Sequence, residues 1–157
     1  MEVDPAHFQK RKKAAEETYA RQKSVYCPYF ATEVVLNSDG FHHLQFSARR
    51  ERSKPEQLLK FRLLPLALQV IRKSGTVQEY RTTMLPVGKK SAVDGSVRMK
   101  QVEDWGLAAI MGEKPVKIRV ILRRIGDGNT TFWSVMPDSK IKNGQQKLYG
   151  ENIEDET

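Results

Sequence analysis

Apolar residues recur along this chain with two different periods. Between residues 53 and 75 the positions Leu59, Leu63, Leu66 and Val70 stand four, three and four apart, the stripe of an amphipathic helix. Beyond residue 104 apolar and polar residues alternate with the two-residue period of strands. Ser53 and Glu56 in SKPE form a capping box at the helix start, Arg72 and Lys73 suit the negative end of its dipole, and Gly75 offers a left-handed stop. Pro65 lies inside the pattern, removes a backbone donor and crowds the turn before it. A kink near residues 61–64, or a division into two helices, is expected there.

The strand signal falls in WGLAAIM (105–111), PVKIRVILRRI (115–125) and NTTFWSVM (129–136), joined by GEK and GDG, which predicts a three-stranded antiparallel meander. In the middle strand Val116, Ile118, Val120 and Leu122 point one way, while Lys117, Arg119 and Arg123 alternate onto the other face with Ile121. One face should pack on the helix and the other present cations. Tyr80, Arg81, Trp133 and Ser134 are candidates for the cationic side.

The remaining segments complete an α+β pattern. Residues 5–23 read as a helix opened by Pro5, with a thin stripe of Phe8, Ala15 and Tyr19 and a cationic remainder of Lys10, Arg11, Lys12, Lys13, Arg21 and Lys23. It is either a solvated charged helix or a nucleic-acid-binding arm. After Pro28, TEVVLN (32–37) reads as a short strand, the turn residues 37–40 follow, and FHHLQF makes a brief helix or turn. TVQEYRTTM (76–84) has strand character, and residues 86–100 form a breaker-rich loop, a connector or a substrate-contacting lid. Three regions result: a basic N-terminal helix over 1–24, a core over 25–137, in which the long helix kinked near Pro65 packs on the antiparallel meander, and a polar tail over 138–157. The tail ends in ENIEDET, which suits a disordered segment that either stays solvated or competes for the basic face.

Charge narrows the partners. The 157 residues carry 27 Lys and Arg against 19 Asp and Glu, a net charge of +8, which favours nucleic acid, an anionic membrane surface or an acidic protein. Cys27 is the single cysteine, so no intramolecular disulfide framework and no cysteine zinc cluster is expected, and a reducing cytoplasm fits. No run approaches a membrane span and the N-terminus lacks the order of a secretory signal, so no membrane partner is expected.

The segment GFHHLQFSARRERSK (40–54) concentrates candidate chemistry. His42 and His43 can exchange protons near neutral pH, and Arg49, Arg50 and Arg52 offer planar donors to phosphate oxygens. Cleavage of RNA without metal needs both roles, a proton shuttle and fixed positive charge on the developing phosphorane. Lys117, Arg119 and Arg123, with Trp133 as a base-stacking ring, would extend the site across the sheet. The plainer reading packs a histidine ring on an apolar face, leaves the arginines in an exposed turn and places the aromatics in the core. GxxxxGK[ST], HExxH and GxSxG are absent, as is an acidic cluster for paired magnesium ions.

EVVLNSDGFHHL, LLKFRLLPLALQVI and KIRVILRRIGDGNTTFWSVM, in that order over roughly residues 25–137, resemble the superfamily of small ribonucleases that groups barnase, colicin nucleases and RelE-like toxins, in particular its phage-associated branch. The resemblance implies an α+β nuclease that cuts RNA without metal or other cofactor, as the toxin of a toxin and antitoxin pair or as a mobile-element function. It implies His43 or His42 as the acid/base group, Arg50 or Arg52 with Arg81 as phosphate ligands, and Ser134 with Trp133 at the end of the last strand. The partners it implies are RNA, including ribosome-bound mRNA or tRNA, and an antitoxin protein. The alternatives are a non-catalytic RNA-binding or ribosome-associated module and a basic interaction protein with an acidic partner.

Overall fold

A helix that must bury residues against a sheet on one side and a second helix on the other needs more than a narrow stripe, and the architecture follows from that demand. The computed structural model describes residues 3–47, 49–111 and 116–138. The chain runs through α1 (Pro5–Arg21), β1 (Ser24–Cys27), β2 (Thr32–Val35), α2 (Ser38–Gln45), α3 (Lys54–Lys73), β3 (Glu79–Val87), β4 (Arg98–Met111), β5 (Val116–Ile125) and β6 (Thr130–Pro137). The fold is α+β. The six strands form one sheet in the order β1-β2-β6-β5-β4-β3, antiparallel throughout except where β2 meets β6 in parallel through Val35 and Thr131.

Helix α3 packs across β1, β4, β5 and β6, and α1 packs on α3. The capping box is present, with the Ser53 hydroxyl oxygen accepting the Glu56 N–H at 3.3 Å. Phe61, Leu64, Ala67, Leu68 and Ile71 are buried beside Leu63 and Val70, whereas Leu59 and Leu66 are only half-buried, so the core stripe is broader than the sequence spacing suggested. Pro65 sits on the exposed side of a single helix, where the missing hydrogen bond costs least. The left-handed stop expected at Gly75 is absent. Ser74 caps the helix instead, its hydroxyl donating to Val70 O at 2.6 Å and its N–H to Ile71 O at 3.4 Å, so no positive φ is needed. Helix α1 buries the predicted Phe8, Ala15 and Tyr19, the first against Phe61 and the last against Phe41.

The meander has four strands, β3 to β6, and reaches further toward the N-terminus than the alternation showed. β4 begins at Arg98 rather than Trp105 and pairs with β3 out to Val87, which shortens the expected loop to residues 88–97. The reason is compositional: RMKQVED is too polar to read as a strand, and its backbone is held by the ladder. The tail assigned as disordered lies, after Asp138, outside the described residues, as does the GEK turn.

Two local devices shape the end of β6. An irregularity in register inserts Trp133 between Phe132, which faces Leu122, and Ser134, which faces Ile121. Phe132 stays in the main core and the Trp133 ring joins Ile121 and Met136 on the opposite sheet face. Gly40 lets α2 lie against this strand, because a Cβ there would stand 2.3 Å from the Phe132 carbonyl oxygen. Beyond Thr131 β6 has no register with β2, and buried Lys60 of α3 donates there to Ser134 Oγ at 3.0 Å and to Val135 O at 2.9 Å.

Candidate nucleic-acid interface

Asn37 starts α2 by accepting the Gly40 N–H at 2.9 Å, and this short helix sends the two histidines to different environments. His42 is exposed and stacks on Phe46 with centroids 4.5 Å apart. His43 is 5% exposed, stacked on Trp133 at 4.4 Å. Arg52, also buried, donates Nε to the His43 carbonyl at 3.0 Å and holds Nη2 3.5 Å from both ring nitrogens. Arg49 is exposed, and Arg50 pairs with Glu56 at 3.2 Å. Three of the segment's candidates are therefore solvent-facing and two are built into the interior.

An imidazole and a sheet guanidinium do meet. The Arg123 guanidinium lies 4.4 Å from the Trp133 ring centroid, so Trp133 contacts both His43 and Arg123. The expectation of a sheet face that presents cations is corrected by what surrounds them. Asp104, fully buried, stands directly opposite both Arg81 and Arg123 in the ladders and takes Arg123 through Nε at 2.7 Å and Nη2 at 3.1 Å, and Arg81 at 3.1 Å. Arg119 bonds Asp138 at 3.0 Å and lies 3.1 Å from the Glu79 carboxylate. Glu79 reaches across β4 because its cross-strand neighbour is Gly106, which has no side chain to block it. Lys117 lies 3.7 Å from Asp138. The low accessibility of Arg119 and Arg123, 6% and 7%, makes this pairing a requirement of burial.

Tyr80 does not share the face of Arg81, since adjacent strand residues alternate and its ring meets the core-side Trp105. Ser134 is fully buried and engaged by Lys60, away from solvent. Sequence reading missed Asp104, Asp39, Asn37, Asn129 and Thr131. The last four line, with Arg123 and Trp133, a cavity of about 200 Å³ where the end of β5 turns into the start of β6. Arg123 commits Nε and Nη2 to Asp104, leaving Nη1 without a partner among the described residues. A second cleft, about 350 Å³, opens between α1 and α2 beside Tyr19, Lys23 and Phe41, and Asn37 lines both. Burial pushes the Tyr19 hydroxyl far above its ordinary range, so it stays protonated.

The helix α1 contrasts with the sheet. Lys10, Arg11 and Lys13 are exposed, and no ion pair among the described residues engages them. Among the described residues no group of three or more His, Cys, Asp or Glu is arranged to hold a metal ion, and no helix is long and apolar enough to cross a membrane. No family model, curated protein or solved structure matches the chain.

Proposed function

We propose that this protein is a non-catalytic RNA-binding module that meets the phosphate backbone with the cations its own acids leave uncompensated, foremost those of α1. The observation that carries this reading is the unequal distribution of partners: the sheet arginines face Asp104, Glu79 and Asp138, while Lys10, Arg11 and Lys13 stand exposed without an ion pair among the described residues. Binding of this kind releases counterions and weakens steeply with salt. Charge reversal in a Lys10→Glu, Arg11→Glu, Lys13→Glu variant is expected to weaken RNA binding and to flatten the slope of log affinity against log salt by about 0.9 for each duplex phosphate no longer neutralised. Unchanged affinity and slope, with the fold intact, would remove α1 from the interface.

Metal-independent cleavage is the second reading, and His42 favours it. This exposed imidazole lies three residues after Asp39, hence on the same side of α2, and Asp39 lines the cavity that Arg123 also lines. On this reading His42 takes the proton of the 2′-hydroxyl as it attacks the adjacent phosphate, the bond to the 5′-oxygen breaks as that oxygen takes a proton from water and leaves as a 5′-hydroxyl, and a cyclic phosphate end remains. His43, at 5% exposure, serves by holding Trp133 in place. RNA incubated with the protein in excess EDTA decides between the readings: cleavage lost in a His42→Ala variant that still binds RNA supports the nuclease, and intact RNA at high protein concentration supports the module.

A further inference from the structure

Tyr29, Phe30, Trp105 and Tyr80 form a row of rings. Successive centroids are 4.9 Å, 4.9 Å and 5.7 Å apart. Trp105 is 6% exposed and Phe30 half-buried, whereas the end members Tyr29 and Tyr80 are 42% and 52% exposed. The row is fixed at both ends. The Tyr29 N–H donates to Ser74 O at 2.9 Å, at the end of α3. Tyr80 stands opposite Trp105 in the β3–β4 ladder, and its hydroxyl donates to Glu103 Oε2 at 2.7 Å. Glu103 in turn accepts from Arg124, whose guanidinium lies 5.8 Å from the Trp105 ring centroid. A phenol ring held at its hydroxyl while half its surface meets water has already lost the freedom that ligand binding would otherwise take away.

The charges around the row point to the ligand. Thr82, Met84 and Pro86 follow Tyr80 at strand alternation on β3, and Met99 stands opposite Pro86, so this face runs on for roughly 20 Å of hairpin at 3.3 Å per residue, with a Gln101–Thr82 hydrogen bond of 2.9 Å between the Tyr80 ring and the apolar Met84, Pro86 and Met99. Met84 and Met99 are 58% and 51% exposed. Exposed Lys89, Lys90 and Arg98 lie at the hairpin tip, and Arg72 and Lys73 lie beside the Tyr29 anchor. Asp94 is the one acid of the 88–97 segment, and its carboxylate accepts the Ser96 N–H at 2.9 Å. Glu103 is matched by Arg124. Exposed rings bordered by cations that have no ion pair among the described residues suit a polyanion that carries unstacked bases, because each base has a face for a ring and each phosphate a charge for a lysine. A duplex has already stacked its bases, and an apolar protein surface has no use for the cations.

We infer that the helix-bearing face of the β3–β4 hairpin, together with Tyr29, is a stacking platform for the bases of single-stranded RNA. This rests on the RNA-binding reading and adds to it the strand state recognised and the place of the bases. A short fluorescein-labelled oligouridine and a duplex RNA of equal length are the probes, titrated at low salt against the full chain. A Tyr29→Ala, Tyr80→Ala variant is expected to bind oligouridine roughly fivefold or more weakly for each ring removed, with duplex affinity unchanged. Tyr80→Phe, which keeps the ring and loses its anchor, should fall between. Lys89→Glu, Lys90→Glu leaves the rings intact and should also weaken oligouridine binding, which keeps the test open if the tyrosine variant fails to fold. The platform is overturned if the folded tyrosine variant binds oligouridine as the wild type does, or if its only change is the loss of self-association. Wild-type protein that binds neither probe overturns the RNA reading itself, a result distinct from equal binding by variant and wild type.

Discussion

The outer face of the sheet and the surface of α1 are both rich in Lys and Arg, yet they differ in what their charge is available to do. On the sheet, Arg81, Arg119 and Arg123 are held by Asp104, Glu79 and Asp138, and Asp104 is wholly inaccessible. On α1, Lys10, Arg11 and Lys13 are in water and unpaired among the described residues. A guanidinium taken out of solvent needs a carboxylate, and the same pairing that makes burial tolerable spends the charge. Cations that remain hydrated keep their field for a ligand.

The sharpest way to break the contrast is to remove Asp104. Asp104→Ala leaves Arg81 and Arg123 without their shared carboxylate and is expected to destabilise the fold by about 3–5 kcal/mol, read from chemical denaturation midpoints. A loss below about 1 kcal/mol would mean that the sheet arginines are hydrated after all, and the contrast would fail.

The Tyr80–Glu103–Arg124 cluster lies between the two extremes, partly exposed and paired. Donation from the Tyr80 hydroxyl, then from Arg124, holds the Glu103 carboxyl below its usual 4.5, while the Tyr80 hydroxyl is raised by the same bond. A carboxyl lowered on folding stabilises fully above its unfolded value, and that contribution is lost as pH falls through the lowered one. Glu103→Gln should therefore cost about 0.2–1 kcal/mol near pH 7, with the gap to wild type closing as the pH falls below 4.5. Thermal melts at matched pH check this, and a gap that persists in acid would assign the loss to packing.

The smallest expected effect is on the stability of the α1 variant. Lys10→Glu, Arg11→Glu, Lys13→Glu should change stability by no more than about 0.5 kcal/mol per site, because those side chains are exposed and no hydrogen bond or ion pair among the described residues holds them. A larger loss in denaturation would show α1 cations at work inside the fold.

Much of the scaffold was readable in order. The capping box at Ser53, the burial of Phe8, Ala15 and Tyr19, and the in-and-out alternation of Val120, Ile121 and Leu122 are local patterns, and all are present. The start of β4 was not readable, and that one boundary concealed the site. With the strand begun at Trp105, Asp104 and Glu103 lay outside it, and the arginines of β5 looked unmatched. With it begun at Arg98, Asp104 stands opposite Arg123 and Glu103 opposite Arg124. The fates of His42 and His43 were equally hidden, since neighbours on one short helix differ only through what packs on each side.

The sequence by itself determined the α+β class, the positions of α1 and α3, the alternation of β5 and the excess of positive charge, because these depend on spacing along one segment or on counting. The tertiary structure alone decided which cations are spent and which rings are open to solvent. Arg123 finds Asp104 19 residues away, and the Tyr80 hydroxyl finds Glu103 23 residues away. Those pairings arise only when strand register sets one backbone beside another, and register is a property of the assembled sheet.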